Sequence, residues 1–216
     1  MKPIEARCWN WDAVDESHWS RPAADVYFLL HRWKELGFTN LLDLGCGIGR
    51  HSLLFADHGF SVTAADLSES GLRKLREAAL RKELKMASVR TEVQAIPFKD
   101  CSFDCVLAFH SIYHVDSNGM LAALSELRRV LKSKAEIYLT LISKSTFSYT
   151  DPQCTVIDKN VRLKVEEDGN ELPHFFVDQA DIRQLFTGYK IIALRQIEDI
   201  VDTKSSWHYF LHGAVI

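Results

Sequence analysis

The sequence predicts an α/β protein: a doubly wound, mostly parallel seven-stranded sheet with helices on both faces and an antiparallel C-terminal strand. Three observations lead there. An apolar run at residues 41–44 breaks into glycines at 45, 47 and 49, the pattern of a buried parallel strand turning sharply into a helix. Apolar strand-like runs and amphipathic helix-like runs then alternate, as a parallel sheet with helices on both faces requires. The last two apolar runs, 189–194 and 207–215, are joined by a segment too short for a helical crossover, so they pair antiparallel.

Each element has a local reason. Residues 1–20 are dense in tryptophan (Trp9, Trp11, Trp19) and acid, with little periodicity, and exposed indoles cost solubility, so this segment packs over the domain or a ligand. Pro22 suits a first helical turn, and Val26, Leu29, Leu30, Trp33 and Leu36 recur at helical spacing up to Gly37, a helix stop. Residues 1–37 thus form a helical cap. After the glycine turn, 50–58 reads as a helix closed by Gly59, and 60–65 as a second strand ending at Asp66. Ser68 caps a long amphipathic helix with Leu72, Leu75, Ala79 and Leu80 inward; its basic face is a solvated surface. A third strand lies within 86–93 and a fourth at 103–109, separated by turn chemistry around Pro97 and Asp100. Asp116 or Ser117 caps a helix carrying Leu121, Leu124, Leu127 and Leu131, and 135–142 makes a fifth strand. From about 143 to 177 the rhythm changes: partial alternation at 155–165, a turn at Glu167, Asp168, Gly169 and Asn170, and an apolar, aromatic run read as an inserted hairpin, a lid over the site. A short helix at 178–186 precedes the final pair of strands.

At 216 residues the chain suits one domain, 1–216, and leaves no room for a large second substrate domain. Lys+Arg of 26 against Asp+Glu of 29, a net charge of -3, gives no global field that recruits nucleic acid or an anionic membrane. The five cysteines are odd in number and scattered, without zinc-ligand spacing, so they read as reduced thiols and no metal site is expected. With no signal-like N-terminus and no apolar stretch of spanning length, the expected location is cytoplasmic.

The glycine turn offers backbone donors and an approach unobstructed by Cβ atoms. Asp66 ends the second strand 21 positions after Gly45, close to the offset at which such folds place a carboxylate on a ribose diol. Two cofactor classes use this arrangement, nicotinamide dinucleotides and S-adenosylmethionine. The dinucleotide fingerprint requires glycine at position 50, where Arg50 stands.

Asp43, Gly45, Gly47 and Gly49 in their Asp-x-Gly-x-Gly-x-Gly spacing, with Asp66, the 92–98 segment and Phe103–Asp104, make the chain resemble the class I S-adenosylmethionine-dependent methyltransferases, in their compact small-molecule branch. That resemblance implies S-adenosyl-L-methionine as cofactor, with Asp43, Gly45, Cys46 and Gly47 at its methionine end. Asp66 and Leu67 would lie at the ribose, Glu92 and Val93 at the adenine, and Phe109 beside the cofactor. It implies a small-molecule methyl acceptor, reached by in-line displacement. Orientation supplies much of such a rate, so a base is needed only for a hydroxyl or protonated amine acceptor. His110, His114 and His174 are the candidates for the acceptor pocket, with Trp19 and Phe175 as aromatic walls. The alternative is a regulatory protein that binds S-adenosylmethionine or S-adenosylhomocysteine without catalysis.

Overall fold

The computed structural model describes residues 8–165, 169, 171–201 and 204–216. A 3-10 turn at Glu16–Trp19 leads into helix α1 (Ala24–Glu35). Strand β1 (Asn40–Leu44), helix α2 (Arg50–Asp57), β2 (Ser61–Asp66), α3 (Glu69–Arg81) and β3 (Ala87–Arg90) follow. Next come β4 (Phe103–Ala108), α4 (Ser117–Val130) and β5 (Leu131–Ser143). The insertion holds α5 (Phe147–Thr150), β6 (Thr155–Val156), β7 (Val161–Val165) and β8 (Glu171–Val177). Helix α6 (Gln179–Leu185), β9 (Tyr189–Val201) and β10 (Lys204–Val215) close the chain.

The main sheet runs β3-β2-β1-β4-β5-β10-β9, parallel except that β10 is antiparallel to both β5 and β9. Alternate residues of each strand supply opposite faces. Leu41, Cys105 and Leu107 pack with Val26, Leu29 and Trp33 of α1 and Phe55 of α2. Leu42, Leu44, Val106 and Ala108 pack with Met120, Ala123 and Leu127 of α4. Ser68 caps α3 by accepting from the Gly71 amide, and Asp116 caps α4 by accepting from Gly119.

Several details differ from the sequence reading. The main sheet has the seven strands expected, but the insertion adds three more rather than a simple hairpin, ten in all among the described residues. β4 leaves β5 at the Ala108–Leu139 pair, and β8 pairs in parallel with Ile142 and Ser143 beyond it, bringing the antiparallel β8-β7-β6 layer to the carboxyl end of β4. The 155–165 run is split by Asp158, whose carboxylate accepts from the amides of Asn160 and Val161. Glu167, Asp168 and Asn170 of the expected turn lie outside the described residues, as do residues 1–7 of the cap. Pro22 precedes α1, whose N-cap is Ala23. β3 stops at Arg90, where the Thr91 amide donates to Asp66 O, so Glu92 and Val93 sit on the following turn. β9 and β10 extend well into the expected loop, Ile200 pairing with Ser205.

Buried Glu136 on β5 ties the cap helix to the sheet. Arg32 donates Nη2 to Oε1 at 2.6 Å and Nε to Oε2 at 2.9 Å, Trp33 donates Nε1 to Oε2 at 2.9 Å, and His212 Nε2 lies 2.8 Å from Oε2. Burial alone would raise this carboxyl, but the bonds from His212 and Arg32 win and hold it at about 2.

Candidate active site

The glycine turn is built around Asp66. Its Oδ2 accepts the Gly47 amide and its Oδ1 the Ser68 amide, each at 2.7 Å. The amides of Gly45 and Cys46 both donate to Ala65 O, and that of Gly49 to Cys46 O. The four turn donors, at Gly45, Cys46, Gly47 and Gly49, are therefore spent within the chain. The carboxylate oxygens of Asp66 each have a second lone pair for a hydroxyl donor. A Cβ on Gly45 would lie 2.1 Å from Ser111 Cβ, and one on Gly47 would lie 2.6 Å from Trp11 Cζ2, so neighbouring groups press directly on the bare backbone.

Two cavities meet at this turn. The first, partly open to solvent, is bordered by Trp9, Trp11, Gly45, Asp66, Leu67, Glu92, Val93, His110, Ser111 and His114. The second is bordered by Trp11, Trp19, Gly45, Cys46, Gly47, Arg50, His51, Phe109 and His110. Trp11 and His110 stand between them. The N-terminal segment forms the roof and is fastened to α3: Trp11 N donates to Ser70 Oγ at 3.0 Å, Ser68 Oγ to Trp9 O at 2.7 Å, and Lys74 Nζ to Trp11 O at 2.6 Å, with an ion pair from Lys74 to Glu16. The rings of Trp9, Trp11 and Trp19 contact one another with centroids 5.8 to 6.2 Å apart.

Of the residues expected at the cofactor, Gly45, Cys46, Gly47, Asp66, Leu67, Glu92, Val93 and Phe109 border one or both cavities. Asp43 does not. It is buried beneath the turn, accepting from Ser52 Oγ at 2.5 Å, and burial raises its carboxyl to about 6. It braces α2 against β1 rather than forming cavity wall. Among the acceptor candidates, His110 and His114 border the first cavity and Trp19 the second. His174 is buried behind His114, ring centroids 4.6 Å apart. Phe175 points the other way along β8 and packs in the main core, its amide donating to Tyr113 O at 2.8 Å; it is no cavity wall. The alternation of β8 puts only one of these two neighbours toward the site.

Sequence reasoning missed Arg50 as a site residue. Its guanidinium lies 5.2 Å from the Trp19 ring centroid and 5.4 Å from that of Phe109, with Nη1 donating to Arg21 O at 3.3 Å and no carboxylate ion-paired with it among the described residues. Position 50 had served only to reject a dinucleotide fingerprint, although a cation opening the helix after the turn was itself a signal. Among the described residues no cluster of His, Cys, Asp or Glu is arranged to hold a metal ion.

The family described as "Methyltransferase domain" matches residues 41–134. Over these residues the chain is similar to the class I S-adenosylmethionine-dependent methyltransferases. It is 30% identical over 122 residues to an uncharacterised protein of Methanocaldococcus jannaschii, covering 56% of this chain and 49% of that one. It is 32% identical over 106 residues to a malonyl-[acyl-carrier protein] O-methyltransferase of Erwinia pyrifoliae, covering 49% of this chain and 38% of the relative. The chain thus spans half or less of these two curated relatives. The fold is shared with the Burkholderia thailandensis 1,6-didemethyltoxoflavin-N1-methyltransferase, solved with 1,6-didemethyltoxoflavin and S-adenosylhomocysteine bound: TM-score 0.66 and 17% identity over 99% of this chain and 93% of that one. S-adenosylmethionine is the cofactor of this family, and the Asp66 carboxylate at the cavity edge fits a ligand with a ribose diol.

Proposed function

We propose that this protein transfers the methyl group of S-adenosylmethionine to a small-molecule acceptor. The observation that carries the reading is Asp66: a carboxylate at the cavity edge, fixed by two backbone amides, with free lone pairs for a ribose diol. Leu67 and Val93 would flank the adenine, and Glu92 would accept from its amino group. Arg50 would pair with the methionine carboxylate across the second cavity, a contact worth about 1.5–3 kcal/mol for a charge-assisted bond. The bound cofactor supplies a sulfonium, which makes its methyl carbon electrophilic. What the chain supplies is alignment and exclusion of water. Trp9, Trp11 and Trp19 roof the site, and His110 stands where the two cavities join, next to the place a methyl group would occupy. Holding reactants in line can lower a barrier by about 7–11 kcal/mol, enough to make geometry the chief catalytic device. The small-molecule acceptor is supported by the aromatic-walled cavity, by a net charge of -3, which gives no global field for nucleic acid, and by the shared fold of the 1,6-didemethyltoxoflavin-N1-methyltransferase.

The test is incubation of the protein with methyl-labelled S-adenosylmethionine and a deproteinised small-molecule extract, read by mass spectrometry. A labelled product that depends on wild-type protein and is lost in Asp66→Ala supports the reading. Tight cofactor binding with no labelled product across diverse extracts argues instead for a binding protein.

A further inference from the structure

The chamber where the two cavities meet is walled by rings, and His110 is at its centre. Its φ of 52° is a left-handed conformation that non-glycine residues rarely adopt, and its amide is pinned by Thr140 Oγ1 at 2.5 Å. Nδ1 lies 3.2 Å from Tyr113 Oη. When Nδ1–H donates to that oxygen, the lone pair is left on Nε2, which makes no hydrogen bond among the described residues. Around the imidazole stand His208 at 4.6 Å, Phe109 at 4.8 Å, Phe210 at 6.2 Å and Trp19 at 6.5 Å between centroids. The titratable and charged groups that bear on His110 are His208, Arg50, His114 and His51; His208 in turn feels Asp199, His174 and Lys164. Burial keeps His110 well below the usual imidazole range and His208 at about 4, so both are neutral near pH 7.

Such a chamber discriminates by chemistry. Its flat walls suit a planar ring. Arg50 is the one lysine or arginine among the described residues that border the two cavities, and the cofactor carboxylate would engage it, so an anionic acceptor gains no partner. A base held this low matches a proton whose acidity rises steeply as the methyl bond forms, as on an aromatic hydroxyl or a ring N–H, better than an aliphatic alcohol. Resting on the methyltransferase reading above, we propose that this chamber binds a neutral, planar aromatic acceptor whose O–H or ring N–H donates to His110 Nε2, and that His110 takes that proton during transfer. In that step the acceptor's lone pair forms the bond to the methyl carbon, the carbon–sulfur bond breaks with its electron pair going to sulfur, and the proton moves to Nε2. Tyr113 is a positioning residue: it holds the ring and its tautomer through Nδ1.

The test uses protein saturated with S-adenosylhomocysteine and three probes of one shape, 4-methylphenol, toluene and 4-methylbenzoate, with affinities read by ligand-observed NMR. Wild type is expected to favour 4-methylphenol over toluene by about tenfold, the worth of one good hydrogen bond, and over 4-methylbenzoate by at least about tenfold. His110→Phe should bind 4-methylphenol and toluene equally, and Tyr113→Phe should narrow the wild-type preference. If His110→Phe does not hold S-adenosylhomocysteine, Tyr113→Phe carries the comparison. A preference for 4-methylbenzoate, no binding of any probe to the loaded wild type, or a phenol preference unchanged in the variants overturns the proposal while leaving the methyltransferase reading intact. Failure of S-adenosylhomocysteine itself to bind wild type would overturn that reading instead.

Discussion

Replacing Glu136 by glutamine tests how the cap helix is held to the sheet. The side chain is 4% exposed and receives donors from Arg32, Trp33 and His212. A carboxamide fits the same space, but its NH2 must replace one oxygen. With the amide nitrogen at the Oε1 position, the remaining oxygen still accepts from Trp33, His212 and Arg32 Nε, and what is lost is the Arg32 Nη2 bond, whose donor then faces another donor, together with the carboxylate charge. The magnitude follows from linkage. A carboxyl held at about 2 against an ordinary value of 4.5 contributes about 3 kcal/mol of folding stability near neutral pH. The sign follows from the same shift. Because the folded-state value is depressed, the contribution is complete above the unfolded value and disappears as pH falls from there toward the folded value. Glu136→Gln should therefore lose about 3 kcal/mol near pH 7, or roughly 6–12 °C in midpoint for a domain of this size. The assay is urea unfolding of both proteins at several pH values, followed by tryptophan fluorescence. The gap should shrink as pH drops below about 4.5. A gap under about 0.5 kcal/mol at neutral pH, the range of an ordinary surface change, or one that does not narrow on acidification, would refute the account.

Three further outcomes are expected. Gly49→Ala should destabilise by about 2–4 kcal/mol, combining left-handed strain with overpacking, because φ is 82° and the new Cβ would lie 2.1 Å from buried Leu75 Cδ1; Gly37→Ala, left-handed but with nothing within 4 Å, should cost only about 1 kcal/mol, and equal losses in urea unfolding would contradict this. Asp43 is raised to about 6 by burial, so its contribution to wild-type stability is full below about 4 and lost as pH rises through about 6; Asp43→Asn should lack this step and be up to about 3 kcal/mol more stable than wild type near pH 8, and identical pH profiles would rule it out. Arg50→Leu should weaken S-adenosylhomocysteine by about 10- to 100-fold while leaving adenosine, which has no carboxylate, nearly unaffected in calorimetry; equal losses for both ligands would remove Arg50 from the methionine end.

The first half of the chain was legible because its signals are local. Residues 41–44 and 103–109 are apolar runs broken only by Asp43 and Asp104, close to what buried parallel strands require, and the caps Ser68 and Asp116 sit where the helices begin. The later strands were harder to read because backbone pairing, not side-chain pattern, extends them. β5 begins at Leu131, ahead of the expected 135, across an irregularity that holds Lys134 at φ 63°. Residues 196–201 and 204–209 pair into a long hairpin that no hydrophobic alternation announces. In the site, Asp66 was read from its offset from the glycines and Glu92 from the family resemblance of its segment, and both border the first cavity. The aromatic roof of Trp9 and Trp11, the Arg50 guanidinium between two rings, and His208 from the last strand depend on tertiary contacts across as many as 98 residues, as between His110 and His208. His174 and Phe175 show the limit most directly, since only the register of β8 decides which of two adjacent residues turns toward His114 and which enters the core.

The most direct measurement is calorimetric titration of the protein with S-adenosylhomocysteine, S-adenosylmethionine and NAD, beside Asp66→Ala. Both adenosyl ligands should bind at one site, compete with each other, and weaken at least about tenfold when the carboxylate that holds Gly47 and Ser68 is removed. Binding of NAD alone, or adenosyl-ligand affinity indifferent to Asp66, would contradict the assignment of this cavity.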